Sequence, residues 1–207
     1  VKYAVAIDSL LNAQAAEYPA DTYEMNMITN HDLNSWEGTE FERLGNLSQA
    51  FAVLSYTLPG MPLIYTGQET GMNRAFEFFE KDKAPAWEPR NEYFSFYKTL
   101  NCLKHHNPAL AAGNPAGSKM LRYPTASKNL YVFERVLGDN RVVVAVNLGN
   151  GEEQLVFRGE APSVAGLADI FAPGDDAALP ASLKAGECRV YAPARPCCAK
   201  KAGCVKK

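Results

Sequence analysis

The sequence predicts a two-part fold, an α/β segment followed by an all-β segment, and two patterns along the chain predict it. In the first half, two short apolar runs flank one long amphipathic helix, which is the pattern of a βαβ unit with parallel strands and a right-handed crossover. In the second half, short apolar runs alternate with turns rich in Gly and Pro, which is typical of a small antiparallel sandwich or barrel. The 207 residues leave room for one large or two small domains.

The clearest single element is the helix that begins at Thr39. Thr39 and Glu42 form a T-x-x-E capping box. Apolar residues then recur every three or four positions and predict one buried stripe, which consists of Phe41, Leu44, Leu47, Phe51, Leu54 and Leu58. Short and mostly apolar runs on either side, 24–30 and 61–66, predict buried strands. Two further helices are predicted over 3–16 and about 91–106.

The second half predicts a β-hairpin and several more strands. The runs 130–136 and 141–147 flank Gly138-Asp139-Asn140, which is a hairpin signal. Further strands are predicted over 154–157 and 189–192. We therefore divide the chain into an α/β part over 1–112, a β-sandwich over 113–193 and a flexible basic Cys/Lys tail over 194–207.

Composition excludes several classes of partner. A hydrophobic content of 47% and a charged content of 21% are ordinary for a folded protein. The net charge of −2 gives no reason to expect nucleic acid or an anionic membrane as a partner. No apolar run is long enough to span a bilayer. Since the chain opens on Val1 and not on Met, we expect it to be a piece of a longer protein, whose localisation this N-terminus does not predict.

The five cysteines are an odd number and do not suggest a metal site. Cys102 falls in a helical pattern and Cys188 in a strand pattern, where a small buried apolar residue is the plain interpretation. Cys197, Cys198 and Cys204 lie in the tail at a spacing that matches no zinc motif. His105 and His106, close to Cys102, are interpreted as an ordinary helix end and not as metal ligands.

Polar residues follow the first predicted strand. Asn30, His31 and Asp32 come at its C-terminal end, where functional groups collect in parallel α/β barrels. A His beside an Asp there could serve acid/base chemistry, metal binding or hydrogen bonding, and a satisfied polar pair without function fits equally well. Trp36 follows closely and could either stack on a sugar face or pack within its loop.

Two segments resemble the α-amylase family of glycoside hydrolases. Residues 27–44, MITNHDLNSWEGTEFERL, resemble the seventh barrel strand with its NHD motif, and residues 59–71, PGMPLIYTGQETG, resemble the eighth strand. The order and separation of the two segments also fit, and the resemblance extends over roughly 18–192. It implies an incomplete (β/α)₈ TIM barrel over 1–112, comprising the last two βα units, followed by the C-terminal β-sandwich.

The resemblance also implies a chemistry. Such enzymes cleave an α-glycosidic bond with retention, using an Asp nucleophile on the fourth strand and a Glu acid/base on the fifth. A third carboxylate, the Asp of NHD, binds sugar hydroxyls and stabilises the transition state. Asp32 matches that position and His31 matches the neighbouring sugar-binding His, so we expect Asp32 to be catalytic and Asn30, His31 and Trp36 to bind an α-glucan such as starch or a maltooligosaccharide.

The chain departs from the family in lacking any segment that matches the nucleophile or acid/base strands. We therefore expect it to be inactive alone and to need the missing N-terminal barrel segment as its partner. Gln68 and Glu69, after the second strand, are expected to make structural hydrogen bonds. No cofactor or metal ligand is expected in this chain, although the resemblance allows a structural Ca²⁺ elsewhere in a longer enzyme. The alternative function is a non-catalytic glucan-binding or structural β-sandwich module.

Overall fold

The computed structural model describes residues 4–19, 21–88, 90–112, 117–172 and 177–194, so the predicted tail beyond Ala194, with its three cysteines, lies outside the described residues. The first part contains α1 (Val5–Glu17), β1 (Met25–Asn26), α2 (Glu40–Leu44), α3 (Ser48–Thr57), β2 (Met61–Pro62) and α4 (Glu92–His106). The second part contains β3 (Lys119–Arg122), β4 (Leu130–Leu137), β5 (Asn140–Asn147), β6 (Glu153–Gln154), β7 (Ala168–Asp169), β8 (Ser182–Leu183) and β9 (Cys188–Ala192). No helix in these ranges is long and apolar enough to cross a membrane.

The strands β1 and β2 pair in parallel, with Met25 opposite Met61 and Asn26 opposite Pro62. This confirms the predicted βαβ unit. The hydrogen-bonded ladder is shorter than the predicted strands, because it covers two residues of each apolar run. Within the described residues each of the two strands has one neighbour, whereas a barrel strand is held by neighbours on both sides.

The helix predicted from Thr39 to Leu58 is interrupted. α2 ends at Leu44, a 3₁₀ turn follows, and α3 begins at Ser48. Gly45 causes the break, because its φ of 56° lies outside the range of a right-handed helix. The predicted stripe is therefore only partly correct: Leu54 is buried, the other members are half-buried, and the fully buried residues of α3 include Ala50, Ala52, Val53 and Tyr56.

The helix α4 follows its prediction closely. The Asn91 side chain caps its first turn by accepting a hydrogen bond from the Phe94 N–H at 3.2 Å. Tyr97, Leu100 and Leu103 face the core. Cys102 is also buried, but it takes part in a disulfide, so its interpretation as a plain buried apolar residue is wrong. At the C-terminal end of α4, His106 Nδ1 lies 2.9 Å from the carbonyl oxygen of Cys102, so this contact is made within the helix. The described residues hold no cluster of three or more His, Cys, Asp or Glu side chains that suits a metal ion.

The second part is an antiparallel sheet in the order β3-β4-β5-β9-β7, with a separate β6-β8 pair beside it. β4 and β5 form the predicted hairpin, in which Leu137 pairs with Asn140 around a tight turn and Gly138 adopts a φ of 56°. The strand predicted over 154–157 is shorter than expected, since the ladder covers Glu153–Gln154 and Phe157 makes only an isolated bridge to Thr125. Cys188 begins β9 as a free thiol.

One hydrophobic core joins the helices to this sheet. Its buried members come from both parts of the chain and include Val53, Tyr56, Leu100, Leu103, Leu110, Tyr131, Phe133, Val142, Val144 and Val190. Polar contacts cross the same boundary: Arg122 Nε donates to Asp8 Oδ1 at 2.8 Å, and the Tyr131 hydroxyl donates to the same oxygen at 2.7 Å. These two hydrogen bonds hold α1 against the sheet. The boundary at 112/113 stays a prediction.

Candidate functional site

The Asn30-His31-Asp32 segment lies beyond the carboxyl end of β1. The hydrogen-bonded strand stops at Asn26, and His31 opens a helical turn that continues through Leu33–Glu37. The ladder therefore ends four residues before Asn30, which the sequence predicted as the last residue of the strand, and His31 and Asp32 lie on the first turn after it. Asn30 caps this turn, because its Oδ1 accepts a hydrogen bond from the Leu33 N–H at 2.7 Å. The capping bond holds the backbone of this turn and so fixes the positions from which the His31 and Asp32 side chains extend.

The side chains of His31 and Asp32 are exposed, at 65% and 61% respectively. His31 Nε2 lies 3.4 Å from Asp32 Oδ2. In the part of the chain that the structure describes, the Asp32 carboxylate accepts no hydrogen bond from another residue. Both carboxylate oxygens can therefore accept hydrogen bonds from a ligand without first breaking internal ones.

Two loops meet at this site and are tied together by a buried asparagine. Asn34, in the turn after Asp32, donates from Nδ2 to the Arg74 carbonyl at 3.2 Å and accepts from the Phe76 N–H at 2.8 Å. Thr39 adds a second link by donating from Oγ1 to Asn73 Oδ1 at 2.7 Å. These hydrogen bonds join the loop after β1 to the loop after β2. Sequence reasoning missed Asn34, since its partners lie about forty residues away in the chain.

Hydrogen bonds to the Asp82 carboxylate hold the loop after β2 together. Arg74 Nη1 donates to Asp82 Oδ2 at 2.5 Å, and the N–H groups of Glu77 and Lys83 donate to the same carboxylate. The hydrogen bond from Arg74 is the largest cause that lowers the pKa of Asp82, with the Glu77 N–H next. The ionised carboxylate therefore holds residues 74–83 in a compact turn.

This turn presents two aromatic rings to solvent beside Trp36. Trp36, Phe78 and Phe79, here called the aromatic platform, are 60%, 43% and 84% exposed. The centroid of Phe78 lies 5.2 Å from that of Trp36 and 5.1 Å from that of Phe79. The His31 ring lies 6.2 Å from Phe78, so the platform is continuous with the His31-Asp32 pair. The sequence indicated Trp36, whereas Phe78 and Phe79 were not assigned to the site from the sequence.

A group of polar side chains, Glu40, Gln68 and Glu69, lies near Tyr97. The Gln68 side chain accepts from the Tyr65 N–H and donates to the Tyr97 hydroxyl at 2.7 Å, which confirms its predicted structural role. Burial raises the pKa of Glu40 to about 7, against the opposing charge of Arg43. Oε2 of Glu40 and Oε2 of Glu69 are buried without a hydrogen-bond partner, so the structural bonds expected of Glu69 are incomplete.

The fold and the site define a class of protein. A parallel βαβ unit whose polar groups follow the carboxyl end of a strand, joined to an antiparallel sheet, is the arrangement of the last part of a barrel enzyme with a β-domain behind it.

Comparison with known proteins gives the family. The chain is 32% identical over 142 residues to a cyclomaltodextrin glucanotransferase of Bacillus licheniformis, covering 69% of this chain and 19% of that protein. It is 28% identical over 143 residues to an α-amylase of Niallia circulans, covering 68% of this chain and 25% of that protein. No family model matches.

Solved structures share the fold. A maltogenic α-amylase from Thermotoga neapolitana superposes with a TM-score of 0.68 at 16% identity, covering 89% of this chain and 44% of that one. The chain belongs to the α-amylase family of glycoside hydrolases and corresponds to the C-terminal part of such enzymes. It spans about a fifth of the length of the glucanotransferases that it matches.

Proposed function

We propose that the enzyme to which this chain corresponds is a retaining glycosidase that hydrolyses α-glucosidic bonds in starch or maltooligosaccharides, and that Asp32 stabilises its transition state. The observation that supports this is the exposed Asp32 carboxylate, free of internal hydrogen bonds, in the NHD segment of an α-amylase-family chain. The relatives are glucan-acting enzymes by name, and their substrate class is carried to this chain as part of the proposal.

The chemistry of Asp32 follows from its surroundings. A free carboxylate can accept two charge-assisted hydrogen bonds from neighbouring sugar hydroxyls. Those bonds accelerate the reaction only so far as they tighten at the transition state. His31, beside it at 3.4 Å, can donate or accept a further bond at the same sugar, and Trp36 offers an apolar ring face. Asn30 is also proposed to bind substrate, although its Oδ1 accepts the capping bond and its Nδ2 donates to Met27 Sδ at 3.3 Å.

The chain by itself carries one such carboxylate and not the pair that does the cleavage. Retaining hydrolysis needs a nucleophile and an acid/base about 5–5.5 Å apart across the scissile bond. Glu40 is buried and Glu69 has a buried, unpartnered oxygen, so neither is offered to a substrate beside Asp32. We propose that these 207 residues are inactive without the missing N-terminal barrel segment.

An activity assay tests this. The chain is incubated for long periods with a chromogenic maltooligosaccharide and with starch, beside its Asp32→Asn variant. We expect no turnover above buffer from either. Turnover by the unaltered chain that disappears in Asp32→Asn would contradict the proposal, because a complete site would then exist within one chain or between two.

A second candidate function is that this chain binds glucan without cleaving it. The exposed aromatic platform next to Asp32 supports this function. A pull-down on insoluble starch separates this from a purely structural role, in which the sheet only covers the helices through the shared core.

A further inference from the structure

A cavity of about 390 Å³ lies at the amino ends of β1 and β2, the opposite end of these strands from Asp32. Glu24 and Gly60, the residues directly before the two strands, line it together with the C-terminal part of α1. Ser118 and Arg135, from the second part of the chain, complete the wall. Its volume is within the range of small-molecule sites. The proposed function uses none of these residues, so this cavity is separate from the Asp32 site.

Arg135 places a buried positive charge on the cavity wall. The residue is 3% exposed, and its guanidinium donates from Nη1 to the Thr57 carbonyl at 2.9 Å and from Nη2 to Ser118 Oγ at 2.8 Å, with Nε also directed at that oxygen. No carboxylate among the described residues forms an ion pair with it. Since a guanidinium has more N–H groups than these bonds use, donors remain for a ligand. Buried charges in proteins are normally paired, so Arg135 marks a place for an anion.

A second cation lies behind the same wall. Lys104 Nζ donates to the Gly60 carbonyl at 2.8 Å and to the Tyr56 carbonyl at 3.2 Å, and in the described part of the chain it too has no carboxylate partner. Burial, and then the positive charge of Arg135, lower the pKa of Lys104 to about 8, so the two cations are within electrostatic reach of each other. An anion near both would relieve the repulsion between them.

The other lining residues indicate which anion fits. Gln14 offers an amide, and Tyr18 and Tyr23, which are 47% and 52% exposed, offer hydroxyls and ring faces. A phosphate group carries about two negative charges and three acceptor oxygens, so it can use more of these donors than a carboxylate can. Glu24 is the one carboxylate in the described lining, and it disfavours a second anionic group on the same ligand.

We propose that this cavity binds phosphate, either free or as the ester of a small molecule. Arg135 is its direct cationic ligand, Gln14 and the two tyrosines contact the remainder, and Lys104 adds positive potential from behind the wall. Since the lining comes from both parts of the chain, bound phosphate should also stabilise the folded state. The proposal is independent of the role of Asp32.

Calorimetric titration of the chain with inorganic phosphate and with phenyl phosphate tests the site, in chloride at constant ionic strength. We expect both to bind and to raise the melting temperature, and acetate to bind roughly tenfold more weakly because it has fewer acceptor oxygens. Phenyl phosphate that binds more tightly than inorganic phosphate, with the difference lost in Tyr18→Ala, assigns the site to a phosphate ester. Equal affinities assign it to free phosphate.

Variants that change the charge of the lining provide the decisive comparison. Arg135→Met should abolish binding, but it also removes the hydrogen bond to Thr57 and can unfold the chain. Gln14→Glu and Glu24→Gln leave the Arg135 contacts intact. We expect the first to weaken phosphate binding about tenfold and the second to strengthen it about threefold. Asn12→Asp adds the same charge as Gln14→Glu at an exposed position of α1 outside the cavity, and should leave the Kd unchanged.

Three results would overturn the phosphate site. They are no binding of either phosphate compound, acetate binding as tight as that of phosphate, and equal affinities in the variants at positions 12 and 14. None of them bears on Asp32, because Asp32→Asn should leave phosphate binding unchanged. A failure of this proposal is therefore distinct from a failure of the proposed function.

Discussion

At the scale of single residues, Asp32 combines high exposure with a carboxylate that lies 3.4 Å from His31 Nε2 and accepts no hydrogen bond from another described residue. In an enzyme that joins this chain to the proposed N-terminal barrel segment, we expect Asp32→Asn to lower kcat by several orders of magnitude. The proposed role makes Asp32 a charged acceptor at the transition state, and losing such an acceptor costs about 3–5 kcal/mol. The melting temperature should change little, because no internal hydrogen bond is lost. His31→Ala should cost less, as a neutral hydrogen bond is weaker. Steady-state kinetics that retain more than about a tenth of the wild-type rate in Asp32→Asn would rule out this role.

Glu40 is the residue whose ionisation should be visible in stability. Burial raises its pKa from 4.5 to about 7, so the folded state favours the protonated form. The stabilisation from this proton is complete below pH 4.5 and is lost as pH rises through about 7, a difference of about 3 kcal/mol. Urea unfolding at several pH values between these limits should show that decline.

The control for Glu40 is a neighbouring carboxylate in solvent. Glu40→Gln should flatten the pH dependence of the unfolding free energy, whereas Glu37→Gln, at an exposed position, should leave it as it is in the wild type. An unchanged slope in Glu40→Gln would mean that Glu40 does not titrate in this range.

At the scale of elements, the Thr39 side chain makes two hydrogen bonds that stabilise the fold. Its Oγ1 accepts from the Glu42 N–H to cap α2, and it donates to Asn73 on the neighbouring loop. We expect Thr39→Ala to lower the unfolding free energy by about 1–2 kcal/mol, from the lost cap and the lost cross-link together. Chemical denaturation measures this, and Thr39→Ser, which keeps the hydroxyl, should recover most of the loss. A Ser variant as unstable as the Ala variant would show that the hydroxyl is not responsible.

At the scale of the whole molecule, the sheet and the helices meet closely at Gly186. A Cβ at this position would lie 2.2 Å from the carbonyl oxygen of Asn46, in the turn between α2 and α3. We therefore expect Gly186→Ala to force the two parts of the chain apart and to lower the melting temperature markedly, because backbone atoms cannot move aside cheaply.

Gly166 is the matched control for this contact. Its φ of +75° is close to the +71° of Gly186, but a Cβ there would meet nothing within 4 Å. Gly166→Ala should show only the backbone strain of about 1–2 kcal/mol that both positions share. Similar losses in thermal unfolding for the two variants would indicate that the contact with Asn46 does not hold the parts together.

Much of the fold and part of the site were predictable because their signals are local. The capping box at Thr39 and the hairpin turn at Gly138 each depend on residues near one another in the chain. The parallel strand pair joins residues 36 positions apart, and it was predictable from the order strand, helix, strand along the chain. The stripe from Phe41 to Leu58 was only partly correct, since Gly45 breaks the helix and turns the buried face. Periodicity alone does not show whether a glycine will adopt a positive φ.

What the sequence determined by itself is the family, the order of the elements and the segment that carries Asn30, His31 and Asp32. Only the tertiary structure decided that Trp36 meets Phe78 and Phe79, that Asn34 joins the two loops beneath them, and that one core unites helices and sheet. The physical reason is distance along the chain. Capping, turns and hydrophobic periods act over a few residues, whereas these contacts join side chains that are about forty or more residues apart and exist only once the chain has closed on itself.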